Sequence, residues 1–254
     1  MSGMFDLGGK IALITGSTRG IGQGLARGLA EAGATIVLNG RDQDRLAKVA
    51  EEFRAVGHDV RTLAFDATDA AATAAAVDRF EAETGPIEIL VNNAGMQHRG
   101  PLEEFSPADF DHLMKTNVNS VFYVGQAAAR HMIARGHGKI INIASVQTAL
   151  ARHGCAPYAA SKGAVANLTK GMATDWAKYG LQINAIAPGY FDTRLNKALV
   201  QDPKFCAWLE KRTPAGRWGR IEELVGACVF LASDASSFVN GHTLFVDGGI
   251  TASL

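Results

Sequence analysis

The amino-acid sequence predicts an α/β fold, a doubly wound parallel sheet of about seven strands with helices on both faces. Short runs rich in Val, Ile and Leu alternate with longer helical patterns from one end of the chain to the other. Several of these runs are apolar throughout instead of alternating, as expected for strands covered on both faces. No internal repeat and no Pro/Ser-rich linker divides the 254 residues, so residues 1–254 are read as a single domain.

The predicted strands are Lys10 to Thr15 (KIALIT), Ala34 to Asn39 (ATIVLN), Val60 to Phe65, Ile87 to Asn92 (IEILVN), Lys139 to Ala144 (KIINIA), Leu181 to Ala187 (LQINAIA) and Leu244 to Val246. The helices between them have recognisable starts. Ser106-Pro107-Ala108-Asp109 combines an N-cap, proline at the first helical position and an acid three residues after the cap, opening a long helix to Arg135. Asp202-Pro203 repeats the device, and the alanine-rich run from Ala70 to Val77 is a strong helix former. The segment from about 189 to 220 is too long for a simple connection and follows a strand's carboxyl end, so it is expected to be a lid over a site.

Composition narrows the function. With 47% hydrophobic and 20% charged residues the chain has the make-up of a globular protein with a sizeable core. Lys+Arg and Asp+Glu both number 25, so the basic excess that holds nucleic acid is missing and no nucleic-acid partner is expected. Three cysteines, Cys155, Cys206 and Cys228, form no C-x-x-C pair, which suits a reducing compartment. The seven histidines show no H-x-x-x-H spacing, and no metal site is expected. No apolar signal core opens the sequence and no run approaches the ~18 apolar residues of a membrane span, so a cytoplasmic protein without membrane contact is expected.

The 28 glycines are the one skew, and they point to backbone approaching a ligand. The first strand runs into Thr15-Gly16-Ser17-Thr18-Arg19-Gly20-Ile21-Gly22, followed at once by a helical pattern. Glycines at such a turn let backbone approach a pyrophosphate, and the helix N-terminus presents amides and a positive dipole end to it. A Rossmann-type dinucleotide site is therefore expected, although the spacing is G-x-x-x-G-x-G and not G-x-G-x-x-G. Strand 2 ends Leu38-Asn39-Gly40-Arg41, without the acid that would accept from a ribose 2′-hydroxyl. Arg41 and Arg19 are placed to face a 2′-phosphate instead, which favours NADP over NAD.

Tyr158-Ala159-Ala160-Ser161-Lys162 stands near the start of a helical pattern, and i,i+4 spacing puts Tyr158 and Lys162 on one face. A neighbouring ammonium favours phenolate, so this pair is a candidate general acid/base for carbonyl reduction or alcohol oxidation. Ser145, just after strand 5, is a candidate hydrogen-bond partner of the reacting oxygen.

Together these residues resemble the short-chain dehydrogenase/reductase family over essentially the whole chain. The resemblance rests on T-G-x-x-x-G-x-G at 15–22, Asn92-Asn93-Ala94-Gly95, Asn117, Ser145, Tyr158-x-x-x-Lys162, Pro188-Gly189 and Val246-Asp247-Gly248-Gly249. It implies Tyr158 as acid/base, Ser145 as partner of the substrate oxygen, and Lys162 as the residue that binds the nicotinamide ribose and lowers the tyrosine pKa. It implies Asn117 as holder of a water linking Lys162 to solvent. Cofactor contacts are implied for Gly16, Ser17, Thr18, Arg19, Gly20, Ile21, Gly22, Arg41, Asp66 and Ala67, the Asp66 position being the one that meets adenine. They are implied also for Asn93, Ala94, Gly95, Pro188, Gly189 and, on the nicotinamide side, Thr193.

Further stretches are similar to the gluconate 5-dehydrogenase (5-keto-D-gluconate reductase) subgroup, among them Met96-Gln97-His98-Arg99, Ala187-Pro188-Gly189-Tyr190-Phe191 and 211–219 (KRTPAGRWG). That resemblance implies a keto sugar acid as substrate and a homotetramer as the assembly. A sugar-acid carboxylate wants a bidentate cation, for which Arg99 and Arg152 are candidates, while Gln147, His153 and Tyr190 are candidates for reading hydroxyls. The chain departs from the subgroup at Ala149, where the pattern Gln-Ser-Glu-Leu has an acid, and at His98, where arginine is frequent. Trp208 and Trp218 are expected to be packing anchors, and Cys155 a small buried apolar residue. Reduction of a 3-ketoacyl or other carbonyl group is the alternative within the family, and a non-catalytic NADP-binding scaffold is the alternative outside it.

Overall fold

The computed structural model describes residues 3–193 and 196–254. Seven strands form one sheet in the order β3-β2-β1-β4-β5-β6-β7: β1 (Ile11–Ile14), β2 (Thr35–Gly40), β3 (Val60–Ala64), β4 (Ile87–Asn92), β5 (Gly138–Ile143), β6 (Leu181–Pro188) and β7 (Thr243–Val246). Every adjacent pair is parallel. All seven predicted strands are present, with ends moved by a residue or so in either direction.

Burial on both faces explains the continuous apolar strand sequences. Ile14, Ile36 and Leu38 point to one side, where they meet Leu25 and Leu29 of α1 (Gly20–Glu31), Leu46 and Phe53 of α2 (Gln43–Arg54), and Leu224 and Leu231 of α9 (Glu222–Ala232). Leu13, Val37 and Leu90 point to the other. There they pack on Val77 and Phe80 of α3 (Ala70–Glu83), Val124 and Met132 of α5 (Ser120–Arg135), and Met172 of α6 (Ala156–Trp176). Full burial of each such side chain contributes about 1.5–3 kcal/mol, so neighbouring strand residues stabilise opposite helical layers.

The predicted helix starts are real caps. Ser106 Oγ accepts from the Asp109 amide at 3.0 Å at the head of α4 (Pro107–Met114), and Asp202 Oδ1 accepts from the Lys204 amide at 2.9 Å at the head of α8 (Pro203–Arg212). The long helix is not uniform. Between α4 and α5, Lys115–Asn119 form a π-turn, a local widening of the helix often found beside functional sites. After β6 the chain makes the short α7 (Lys197–Val200) and then α8, and a bridge from Phe191 to Gly219 brings the two ends of this segment together. Among the described residues no helix is long and apolar enough to cross a membrane.

Candidate active site

A cleft of about 840 Å³ runs along the carboxyl ends of the strands, from the loop after β1 to Tyr190 and Asn196 beyond β6. It straddles β1 and β4, where the strand order reverses direction, the place at which doubly wound sheets open a crevice.

Two side chains pin this crevice. Thr15 Oγ1 accepts from the amides of Asn93 and Ala94, both at 3.0 Å, and Asn93 Nδ2 donates to the carbonyls of Thr15 and Gly16 at 2.9 and 3.1 Å. The loop after β1 and the loop after β4 are thereby held as one unit. A Cβ on Gly22 would lie 2.3 Å from Asn93 Nδ2 and 2.7 Å from the Gly16 carbonyl, so only glycine fits there. Gly16 itself turns the chain with φ +61°. No side chain caps the N-terminus of α1 and no acid lies in its first turn, which leaves an amide-lined, dipole-positive end facing the cleft. These residues fit a dinucleotide pyrophosphate.

At the far end of this half, Arg19, Arg41 and Arg45 all line the cleft. Arg41 Nη1 lies 3.6 Å from Asp66 Oδ2. Burial tends to raise the Asp66 pKa, but the amide and hydroxyl of Thr68, together with Arg41, outweigh it and hold the carboxyl below its usual range. Ala67 lies beside it on the wall.

Ser145, Tyr158 and Lys162 meet on the cleft wall near its middle. Ser145 lies beside Tyr158 on this wall, and its Oγ accepts from the Gln147 amide at 3.2 Å. Lys162 Nζ donates to the Ile143 carbonyl at 2.7 Å and lies 5.8 Å from the centroid of the Tyr158 ring. Burial lowers Lys162 to about 8. Burial also pushes the Tyr158 phenol up to about 12, against the opposing pull of Ser145 and Arg99. Ser145 and Arg99, and not the Lys162 ammonium, supply that opposing pull, and desolvation exceeds it. Asn117 lies in the π-turn, fully buried, with Nδ2 donating to the Met96 carbonyl at 2.9 Å and to Ser161 Oγ at 3.0 Å. Its Oδ1 accepts from the Met96 amide at 2.7 Å, so it braces the loop after β4 against the helix that carries Tyr158.

Beyond Tyr158, Arg99 and Arg152 lie on the same wall, and neither forms an ion pair among the described residues. Burial and the nearby Arg152 lower the Arg99 pKa. Arg99 Nε and Gln147 Oε1 are buried without a hydrogen-bond partner. On the cleft wall these two atoms are available to a bound ligand or to water. Tyr190 packs against Phe205, Trp208 and Trp218 with ring centroids 5.6, 6.1 and 6.0 Å away.

A family model described as enoyl-(acyl carrier protein) reductase matches residues 16–251. The gluconate 5-dehydrogenase of Gluconobacter oxydans (strain 621H) is 62% identical over 251 residues, which cover 99% of this chain and 98% of that relative. The chain belongs to the short-chain dehydrogenase/reductase family. The 5-keto-D-gluconate 5-reductase of Escherichia coli (strain K12) is 50% identical over 250 residues, covering 98% of both. Among solved structures, a gluconate 5-dehydrogenase from Burkholderia cenocepacia J2315 in complex with NADP and tartrate superposes with a TM-score of 0.98. It is 60% identical, and the match covers 100% of this chain and 99% of that one.

In this short-chain dehydrogenase/reductase nearly every residue singled out from the sequence lines the one cleft, including Thr18, Gly20, Ile21, Gly95, Pro188, Gly189 and Thr193. Three do not. Ser17 is fully buried and its Oγ accepts from the Asn39 amide at 2.9 Å, so its side chain ties β1 to β2 instead of facing the cleft. His153 is exposed and lies off the cleft wall. Cys155 is not merely a small apolar filler, because its sulfur accepts from Gln97 Nε2 at 3.7 Å and from Arg152 Nη2 at 3.5 Å. Sequence reasoning missed Asn39, whose Oδ1 accepts from the Gly16 amide at 3.3 Å while Nδ2 donates to the carbonyls of Leu63 and Phe65. Its signal was a buried amide at the tip of an otherwise apolar strand.

Proposed function

We propose that this protein interconverts 5-keto-D-gluconate and D-gluconate with NADP as its cofactor. The observation that carries the substrate class is a pair of guanidiniums without a carboxylate partner, Arg99 and Arg152, on the same cleft wall as Ser145 and Tyr158. A sugar-acid carboxylate supplies the missing anion. The full-length similarity to a gluconate 5-dehydrogenase and to a 5-keto-D-gluconate 5-reductase supports the same substrate.

The uncapped N-terminus of α1 and the Gly16–Gly22 loop would hold the pyrophosphate, and Arg19 and Arg41 the 2′-phosphate. Asp66 and Ala67 would border the adenine, while Asn93, Ala94, Gly95, Pro188, Gly189 and Thr193 would line the remainder. The absence of an acid at the tip of β2 favours NADP over NAD, in keeping with the NADP complex of the Burkholderia cenocepacia enzyme. When bound, the cofactor supplies the hydride that reduces the ketone.

Tyr158 acts as the general acid: its neutral phenol donates a proton to the carbonyl oxygen as that oxygen becomes an alkoxide. Ser145 donates a hydrogen bond to the same oxygen. Lys162, turned by the Ile143 carbonyl, lies at the ribose side of the tyrosine and refills its proton, with Asn117 bracing the route to water. Arg99 and Arg152 hold the carboxylate, and Gln147 and Tyr190 read hydroxyls. Residues 189–220 act as a lid, whose aromatic face excludes water. In the oxidative direction the phenolate takes the proton back.

Two apolar surfaces support a homotetramer. Phe110 and Phe122 on α4 and α5 are 39% and 40% exposed, and Phe238 before β7 is 101% exposed. A closed homotetramer needs two distinct isologous contacts, and these two places are the candidates for them. Three free cysteines support a reducing, cytoplasmic setting.

The test is NADPH consumption with a panel of keto sugar acids. We expect 5-keto-D-gluconate to be preferred and Tyr158→Phe to lose at least about 100-fold in kcat while still binding NADPH. Arg99→Ala should raise KM for the sugar acid far more than for an uncharged ketone. Tyr158→Phe with normal turnover, or equal efficiency with NADH, would overturn the assignment.

A further inference from the structure

We propose that Cys155 is the positioning residue that sets the spacing of the Arg99 and Arg152 guanidiniums. The proposal rests on the reading of those two arginines as the carboxylate anchor. Cys155 is 0% exposed and off the cleft wall, so it does not touch substrate. It stands at the N-cap position of α6, three residues before Tyr158, yet makes no capping hydrogen bond. Its sulfur is turned sideways into the network behind the two arginines.

Donor and acceptor chemistry dictates that network. Arg99 Nη2 donates to Gln97 Oε1 at 2.7 Å. A guanidinium has only donors, so it takes the acceptor end of the Gln97 amide and leaves the amino end to find an acceptor of its own. Cys155 Sγ is that acceptor at 3.7 Å, and it accepts from Arg152 Nη2 at 3.5 Å as well. One sulfur therefore joins Arg99, through Gln97, to Arg152. A hydroxyl here would keep one acceptor within reach of both donors, whereas a methyl would release them.

The other contacts of the two arginines do not fix their spacing. Arg99 Nη2 reaches Asn196 Oδ1 only at 3.4 Å, and the Arg152 guanidinium rests over the Phe205 ring at 5.0 Å and over the Tyr190 ring at 6.0 Å. Cation–π contacts of that kind tolerate sliding. Two like charges that also repel each other would drift apart across the aromatic face without the shared sulfur.

The test compares Cys155→Ala and Cys155→Ser with the wild-type enzyme, reading kcat, KM for 5-keto-D-gluconate, KM for NADPH and the inhibition constant of tartrate as an anionic probe. Cys155→Ala should raise KM for the keto acid and the tartrate constant about 5- to 10-fold, with kcat and KM for NADPH within about twofold. Cys155→Ser should recover most of the loss. An unchanged KM in Cys155→Ala, or a kcat that falls as far as KM rises, overturns the proposal. Should Cys155→Ala fail to fold, Gln97→Leu cuts the same network from the cleft side and is expected to give the same split; an unchanged KM there overturns the proposal equally. Arg99→Ala and Arg152→Ala, measured alongside, separate the two levels. If they raise KM for the sugar acid and Cys155→Ala does not, the carboxylate reading stands and the role of Cys155 falls. If they leave it unchanged, both fall.

Discussion

Tyr158 and Lys162 are adjacent on one helix face, but their chemistry is set by what surrounds them. The lysine donates to the Ile143 carbonyl, and burial holds its pKa near 8 against a usual 10.5. Between those two values the unfolded chain binds a proton that the folded protein does not. The stability contributed by this group is therefore fully present only above pH 10.5 and is lost as pH falls through about 8. Lys162→Met is expected to be more stable than wild type at pH 7, by on the order of 2 kcal/mol, with the advantage disappearing as pH rises to about 10.5. Chemical denaturation of both proteins across that range measures it, and an advantage independent of pH would contradict it. Of these two residues the spacing was legible in the sequence. Their protonation was not, because desolvation comes from β5 and the cleft wall, far along the chain.

At the scale of elements, caps and strands follow from local residues, and the structure keeps them. Ser106, Asp202, Asp69 and Asp42 each accept from an amide in the first turn of the helix that follows. The π-turn at Lys115–Asn119 was not legible, since the Pro107 to Arg135 sequence has uninterrupted helical character; it forms where Asn117 is drawn to Met96 and Ser161. The segment proposed as a lid is held at its carboxyl end by Glu223, which accepts from Arg217 at 2.7 and 2.8 Å and from the Arg220 amide at 2.8 Å. Arg217 holds the Glu223 carboxyl down at about 2, so this anchor stays charged at physiological pH. Glu223→Gln should leave the global melting temperature unchanged, because the pair is on the surface, while limited proteolysis within 196–217 becomes faster. An unchanged cleavage rate would mean that the aromatic cluster alone holds the lid.

For the whole molecule, the reversal of strand order between β1 and β4 brings together loops distant in sequence, and Thr15 with Asn93 locks them. The exposed phenylalanines belong to this scale too. For the proposed homotetramer, Phe122→Glu should reduce the particle mass in sedimentation by about half, leaving dimers joined through the second proposed surface. A tetramer that survives the substitution would exclude α5 as an interface.

The sequence alone determined the seven strands, the helix starts, the glycine turn and the positions of Ser145, Tyr158 and Lys162. These depend on apolar patterning and turn chemistry within a few residues of each site. Tertiary structure decided the direction of Ser17, the bracing by Asn39, the high pKa of Tyr158 and the Arg99–Gln97–Cys155–Arg152 network. Gln97 and Cys155 are 58 residues apart, and only the pairing of β4 beside β5 brings their loops within hydrogen-bonding distance. Side-chain direction and desolvation are set by whatever packs alongside, and in a parallel sheet that neighbour comes from elsewhere in the chain.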